Sequence, residues 1–179
     1  AQDRGWDGFF LWDHIAYRTP VRALVDPWIT LAAVALAADR LVIGPLVTPL
    51  ARRRPHQLAR ETATLDQLSG GRLVLGVGLG SPRSGEFDPA RFGEEEDPRA
   101  RARLLDDGLA RLQEYWDGAF QPRPVQRPRI PVWTAGRWPR SPTRCGSGTS
   151  TSHRRDTAAR CTTCALAGSG SPEARAHAR

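Results

Sequence analysis

The sequence predicts an α/β fold built from parallel β–α–β units, and three observations carry that expectation. Short apolar runs at Trp6–Trp12, Leu41–Val47 and Leu73–Leu79 alternate with segments of helical period that open at Asp26, Pro55 and Pro98. Most of the links between them are short, as consecutive units of one sheet require. The run inside Gly70–Ser81 has no polar alternation, so both of its faces are covered, as in a parallel sheet.

That run, Gly-Gly-Arg-Leu-Val-Leu-Gly-Val-Gly-Leu-Gly-Ser, carries glycines at Gly76, Gly78 and Gly80. Glycine weakens a strand, and its usual reason for being there is close approach to the backbone. A dinucleotide fingerprint would need a helix opening on the glycines. Here Pro82, Gly85, Pro89 and Gly93 make the following stretch a loop, which excludes that reading.

In chain order, Ala1–Gly5 reads as a helix end with Gly5 as its left-handed cap. Trp6–Trp12 is a strand, and Asp13-His14 stand at its C-terminal end, where a parallel sheet or barrel places its chemistry. Asp26 caps a helix with Pro27 in its first turn, and Trp28, Leu31, Ala32, Ala35 and Leu36 recur at helical spacing. Leu41–Val47 is the next strand; Pro45 cannot donate to a ladder, which predicts an irregularity in its second half. Pro55 opens a helix to Leu68, with Leu58, Thr62, Leu65 and Leu68 on one stripe, and Ser69-Gly70-Gly71 end it. After the loop 80–97, Pro98 opens a third helix with Leu105, Leu109, Leu112 and Trp116 on one face. Residues 119–129 form a proline- and arginine-rich connector, and Ile130–Ala135 is a weaker strand.

Charge divides the chain. Residues 1–136 hold 18 Arg against 17 Asp and Glu, whereas 137–179 hold 8 Arg against 2 acids. The net +7 therefore belongs to the tail, and the body gives no footprint for nucleic acid. From Pro139 onward Leu166 is the one member of Val, Leu, Ile and Phe, so 137–179 is expected to be a disordered basic tail with at best weak helix near 173–178. Cys145, Cys161 and Cys164 all lie there; Cys161-Thr-Thr-Cys164 lacks the second pair of a zinc site, and no metal is expected. A body without cysteine fits a cytoplasmic protein, and no run approaches the roughly 20 apolar residues of a membrane span. Met and Lys are absent, which suggests a biased coding composition and a natural start upstream of Ala1.

Several body segments together resemble the bacterial luciferase-like monooxygenases, the flavin- or F420-dependent luciferase-like oxidoreductases. The matching pieces are Gly5–His14, Asp26–Ala33, Arg40–Pro49, Arg53–Pro55, Leu58–Asp66, Leu68–Gly80 and Pro128–Gly136. The resemblance implies a partial TIM barrel, with 7–12, 41–47, 73–79 and 130–135 as strands two to five of a (β/α)₈ barrel. Strand one and strands six to eight find no counterpart, and the match fades by about Pro139 into sequence that reads like an out-of-frame translation. The expected domain is residues 1–136. The expected activity is that of a flavin- or deazaflavin-dependent oxidoreductase or monooxygenase on an organic substrate, with O₂ as co-substrate in the monooxygenase case; complete members are often homo-oligomers. The alternative is a catalytically inactive remnant of such an enzyme.

The resemblance also places the site. His14, with Asp13, stands beside the ring of reduced FMN or F420 as polar partner or acid–base group; from the residues alone the pair reads equally as a loop cap. Val47 and Thr48 lie where the family has a bulge, often with a non-proline cis peptide, and are candidates for backbone contact and hydrogen bonding to the cofactor. Gly78, Gly80 and Ser81 are the further cofactor-binding candidates, with tight barrel packing as the alternative for the glycines. Arg52-Arg53-Arg54 precede a helix and read as a solvated rim or as a contact to a phosphate or an acidic partner.

Overall fold

The computed structural model describes residues 1–21 and 23–135. The predicted tail, with its three cysteines and weak helix, lies outside the described residues. The strands and helices are β1 (Gly8–Leu11), α1 (Pro27–Ala37), β2 (Val42–Pro45), β3 (Thr48–Pro49), α2 (Pro55–Leu68), β4 (Leu75–Gly78), α3 (Pro89–Phe92), α4 (Pro98–Glu114) and β5 (Val132–Thr134).

Every strand pairing is parallel: β1 with β2, β3 with β4, and β4 with β5. A bridge between Ile43 and Leu73 joins the β2 and β4 segments, so the two short sheets follow one another around a single arc. The arc runs in chain order with helices on its outer side, which is the construction of a (β/α) barrel. It agrees with the partial barrel expected from the sequence.

Local chemistry explains the helix starts. Asp26 accepts from Trp28 N at 2.9 Å and Ile29 N at 3.0 Å, with Pro27 in the first turn. Asp97 does the same for α4, accepting from Arg99 N and Ala100 N ahead of Pro98. Gly5 ends the opening turn at φ 75, where a Cβ would be strained. Two expectations change. The strand expected over 41–47 ends at Pro45 and resumes as β3 at Thr48, and the expected irregularity falls at Leu46 and Val47, whose peptide bond is cis. The loop 80–97 is not structureless: Ser81 opens a turn over Pro82–Ser84, and Asp88 caps the four-residue α3.

The core lies between sheet and helices. Leu31, Leu58 and Leu112 from the helices meet Ile43, Leu73, Leu75, Val77 and Ile130 from the sheet side, all essentially inaccessible. Truncating one of these to Ala costs about 2–5 kcal/mol. The opposite face of the sheet carries Gly44, Gly76 and Gly78. Phe10 from β1 and Trp133 from β5 reach across it and stack, with centroids 5.4 Å apart. Phe10 is register partner to Gly44 and Trp133 to Gly76, so the glycines leave the path between the rings free of side chains.

Candidate functional site

The chain segments leaving β1, β3 and β4 meet in one cluster of ionisable groups. The Pro49–Arg53 segment turns directly into α2 and carries Arg52 and Arg53 back to the residues after β1. Asp13 is 1% exposed. Its Oδ1 accepts from Arg52 Nη2 at 3.1 Å and Arg53 Nη2 at 2.6 Å; its Oδ2 accepts from Arg53 Nε at 3.1 Å and Trp28 Nε1 at 3.4 Å. Arg52 also donates to the Asp13 carbonyl. Arg52 reaches in the other direction too, from Nη1 to Glu86 Oε1 at 2.7 Å. Two buried carboxylates thus face two guanidinium groups, and the charge closes without His14. Both partners of each pair are needed, because an isolated buried charge is far costlier than a paired one.

Glu86 is wholly buried. Its Oε1 also accepts from Ile15 N at 2.6 Å and Ala16 N at 3.4 Å, and its Oε2 from Ser84 Oγ at 2.8 Å. His14 Nδ1 stands 2.7 Å from the same Oε2. Burial pushes this carboxyl up. The hydrogen bonds from His14 and Ser84, the Arg52 charge and the Ile15 amide outweigh it and hold the group at about 2. Glu94, farther along the same loop, is raised by burial, with Arg52 opposing.

His14 keeps 20% of its side chain open. Trp12 and Tyr17 flank it edge-on, at centroid distances of 5.9 Å and 5.0 Å. The imidazole is therefore the member of the cluster that is accessible and can both donate and accept through its ring nitrogens. Asp13, expected as its catalytic companion, instead has its carboxylate enclosed by Arg52, Arg53 and Trp28. With these donors on both oxygens it ties the segments after β1 and β3 together.

The other expected residues divide by face. Val47 lies on the inner face, where a Cβ added to Gly78 would stand 2.9 Å from Val47 Cγ2. Thr48 is register partner to Val77, a core residue on the helix side. Its side chain therefore faces the helices, and its buried Oγ1 has no hydrogen-bond partner. The break at Leu46–Val47 shifts the strand's alternation by one residue, so of the two candidates Val47 and Thr48 the first presents its side chain to the inner face and the second only its backbone. The Phe87 ring fills the space beside Gly80, whose φ of 72 also favours glycine. Ser81 is exposed, and its Oγ accepts from Arg83 N at 3.3 Å.

In sequence the arginine run reads as a rim or as an anion contact, and its pairing with Asp13 and Glu86 of the same chain is not foreseen there. Glu86 sits 72 residues from His14 in sequence, within a loop of turn-forming residues. Among the described residues no three His, Cys, Asp or Glu side chains gather as a metal site, and no helix is long and apolar enough to cross a membrane. A surface groove of about 550 Å³ runs between α1 and α2, beside Ile29, Arg60 and Leu68.

The inner face fits a planar ring system. Phe10 and Trp133 stack across Gly44 and Gly76 as a flat aromatic surface, Val47 Cγ2 stands over Gly78, and the accessible imidazole lies after the C-terminal end of β1. The family model described as luciferase-like monooxygenase matches residues 1–146. An uncharacterised protein of Mycobacterium tuberculosis is 32% identical over 124 residues, which are 60% of this chain and 42% of that protein. The chain thus spans less than half the length of this curated relative. Among solved structures, the monooxygenase RslO1 of Streptomyces bottropensis is 28% identical with a TM-score of 0.59, covering 75% of this chain and 44% of that one. An F420-dependent secondary alcohol dehydrogenase in complex with an F420–acetone adduct shares the fold, with a TM-score of 0.65 at 20% identity over 75% of this chain and 45% of that one. The chain belongs to the luciferase-like monooxygenase family.

Proposed function

We propose that this member of the luciferase-like monooxygenase family binds a reduced flavin or deazaflavin, FMN or F420, at the C-terminal mouth of the arc and acts as an oxidoreductase on a small organic substrate. The observation that carries the reading is the accessible His14 imidazole held by a buried, ionised Glu86 after the C-terminal end of β1. When bound, such a cofactor would in its reduced form supply two electrons to O₂ in monooxygenation, or would exchange a hydride with the organic substrate, giving it in the reductase direction and taking it in the dehydrogenase direction.

The chain's own residues have distinct parts in this proposal. The backbone at Gly78 and Gly80, the Val47 side chain and the Val47–Thr48 peptide units form the wall against the ring, and Ser81 marks its outer end. His14 Nε2 holds or accepts a proton next to the reacting atoms. Asp13, Arg52 and Arg53 keep the loops after β1 and β3 in place. A cytoplasmic location and assembly with further copies of the chain belong to the same proposal.

A second reading, a family member without catalysis, draws on the openness of the inner face. Among the described residues Trp12 is 51% and Trp133 43% exposed, so solvent reaches the space a cofactor ring would need dry. Anaerobic titration of the folded chain with reduced FMN and reduced F420 decides between them. One cofactor binding at a 1:1 ratio is expected. A folded sample that binds neither would overturn the enzymatic reading and leave the second.

A further inference from the structure

We propose that Glu86 is a positioning residue that fixes the His14 ring in its Nδ1–H tautomer, leaving Nε2 as the ring's acceptor toward the mouth. The inference deepens the proposed function and rests on its reading of His14, but its geometry is independent of any cofactor.

The donors around the carboxylate decide the proton's place. Oε1 is met by the Ile15 and Ala16 amides and by Arg52 Nη1. None of these can act as an acceptor. Oε2 is met by the Ser84 hydroxyl and by His14 Nδ1. With donors on every other side and a guanidinium at 2.7 Å, the carboxylate is ionised and acceptor-only. The hydrogen in the 2.7 Å contact therefore sits on Nδ1. In a neutral imidazole the second nitrogen then carries the lone pair. Among the described residues Nε2 has no hydrogen-bond partner.

Two further contacts keep the ring from turning over. Trp12 meets the imidazole at an interplanar angle of 89° and Tyr17 at 61°. The amides that follow His14 in the chain bind the same carboxylate, so Glu86 holds the residue's ring and its following backbone together. An acid that orients an imidazole through Nδ1 acts through that imidazole and not on the substrate. Glu86 also belongs to the loop after β4, with Ser84 two residues before it. The state of His14 is thereby tied to the placement of that loop.

The test is long-range ¹H–¹⁵N correlation of the histidine side chains in the cofactor-free chain, above the pH of imidazole titration. The sequence has four His, and His14→Gln identifies the His14 signals by their loss. The expected pattern is Nδ1–H for His14 in the unaltered chain. Glu86→Ala is expected to lose it in favour of the Nε2–H form that free imidazole prefers. An Nε2–H pattern in the unaltered chain overturns the proposal, as does an Nδ1–H pattern that persists in folded Glu86→Ala. Because the first of these outcomes needs no variant, a failure of Glu86→Ala to fold leaves the proposal testable. Failure of cofactor binding would overturn the proposed function and leave the tautomer result standing.

Discussion

Asp66 and Glu86 are both wholly buried among polar partners, and they differ in what lies behind them. Asp66, in α2, accepts from Val125 N at 2.7 Å, Gln126 N at 3.0 Å and Gln126 Nε2 at 2.7 Å. All its partners are neutral and fixed, and they belong to the connector before β5. Gln126 Nε2 also donates to the Leu73 carbonyl, so the connector is sewn to the strand it passes. Glu86 has amide partners as well, but it adds Arg52 and an imidazole that is partly open. The first arrangement ends in backbone and can only hold a loop. The second ends in a titratable, accessible side chain and can move a proton. Burial and hydrogen bonding alone therefore do not mark a functional carboxylate; what matters is whether the network reaches a reactive group at the surface.

Removing a charge from the mouth should show the largest effect. Arg52→Met leaves Asp13 with Arg53 alone and strips Glu86 of its cation, and it is expected to destabilise the fold by about 3–5 kcal/mol in urea denaturation. A loss below about 1 kcal/mol would mean that these ions are hydrated and not paired as described.

Acid titration separates the two carboxylates next. Glu86 lies at about 2 against an ordinary 4.5, so the folded state favours its ionised form. That contribution is fully present above the unfolded value of 4.5 and disappears as pH falls through about 2. Converted at about 1.4 kcal/mol per pH unit, it amounts to about 3 kcal/mol. Glu86→Gln should lack this part of the acid dependence, while Asp66→Asn should retain it; equal acid profiles for the two variants would remove the distinction.

Asp66→Ala is expected to cost about 1–3 kcal/mol, since it leaves the Val125 and Gln126 amides without an acceptor. Hydrogen exchange should locate the effect at those amides and leave Ile15 protected. Smallest is Thr48→Val. Its hydroxyl is buried without a partner, so an isosteric methyl should be neutral or stabilising by up to about 1 kcal/mol. Cofactor affinity should stay unchanged, because the side chain faces the helices; a marked loss of affinity would reverse that assignment.

Much of the fold was readable in the sequence because its signals are local. Proline at the first turn marked α1, α2 and α4, and Asp26 capped the first of them as expected. The short α3 was missed because one turn has no period to read. The site was readable only in part. His14 stood out because it follows a strand, whereas Glu86 has no local signature and becomes its partner only when β1 and β4 take their places in the arc. In sequence Asp13 reads as the companion of His14 and Arg52 as part of a rim or anion contact; their mutual burial follows from the loops after β1 and β3 closing on each other. The facing of Thr48 depends on one irregular residue in the strand, which alternation carried past Pro45 assigns to the wrong side. Gly80 could be read as room for a ligand, yet the Phe87 ring stands beside it, and only packing reveals which side chain fills a glycine's space.

The most direct test of the account compares His14→Ala with Asp66→Asn for affinity toward the reduced cofactor, with thermal stability measured on the same samples. His14→Ala is predicted to weaken cofactor binding by about 10-fold, or about 1.4 kcal/mol, with little change in melting temperature. Asp66→Asn is predicted to lower the melting temperature and leave affinity intact below the transition. The opposite pattern, with binding lost at Asp66 and retained at His14, would contradict the assignment of function to the mouth cluster.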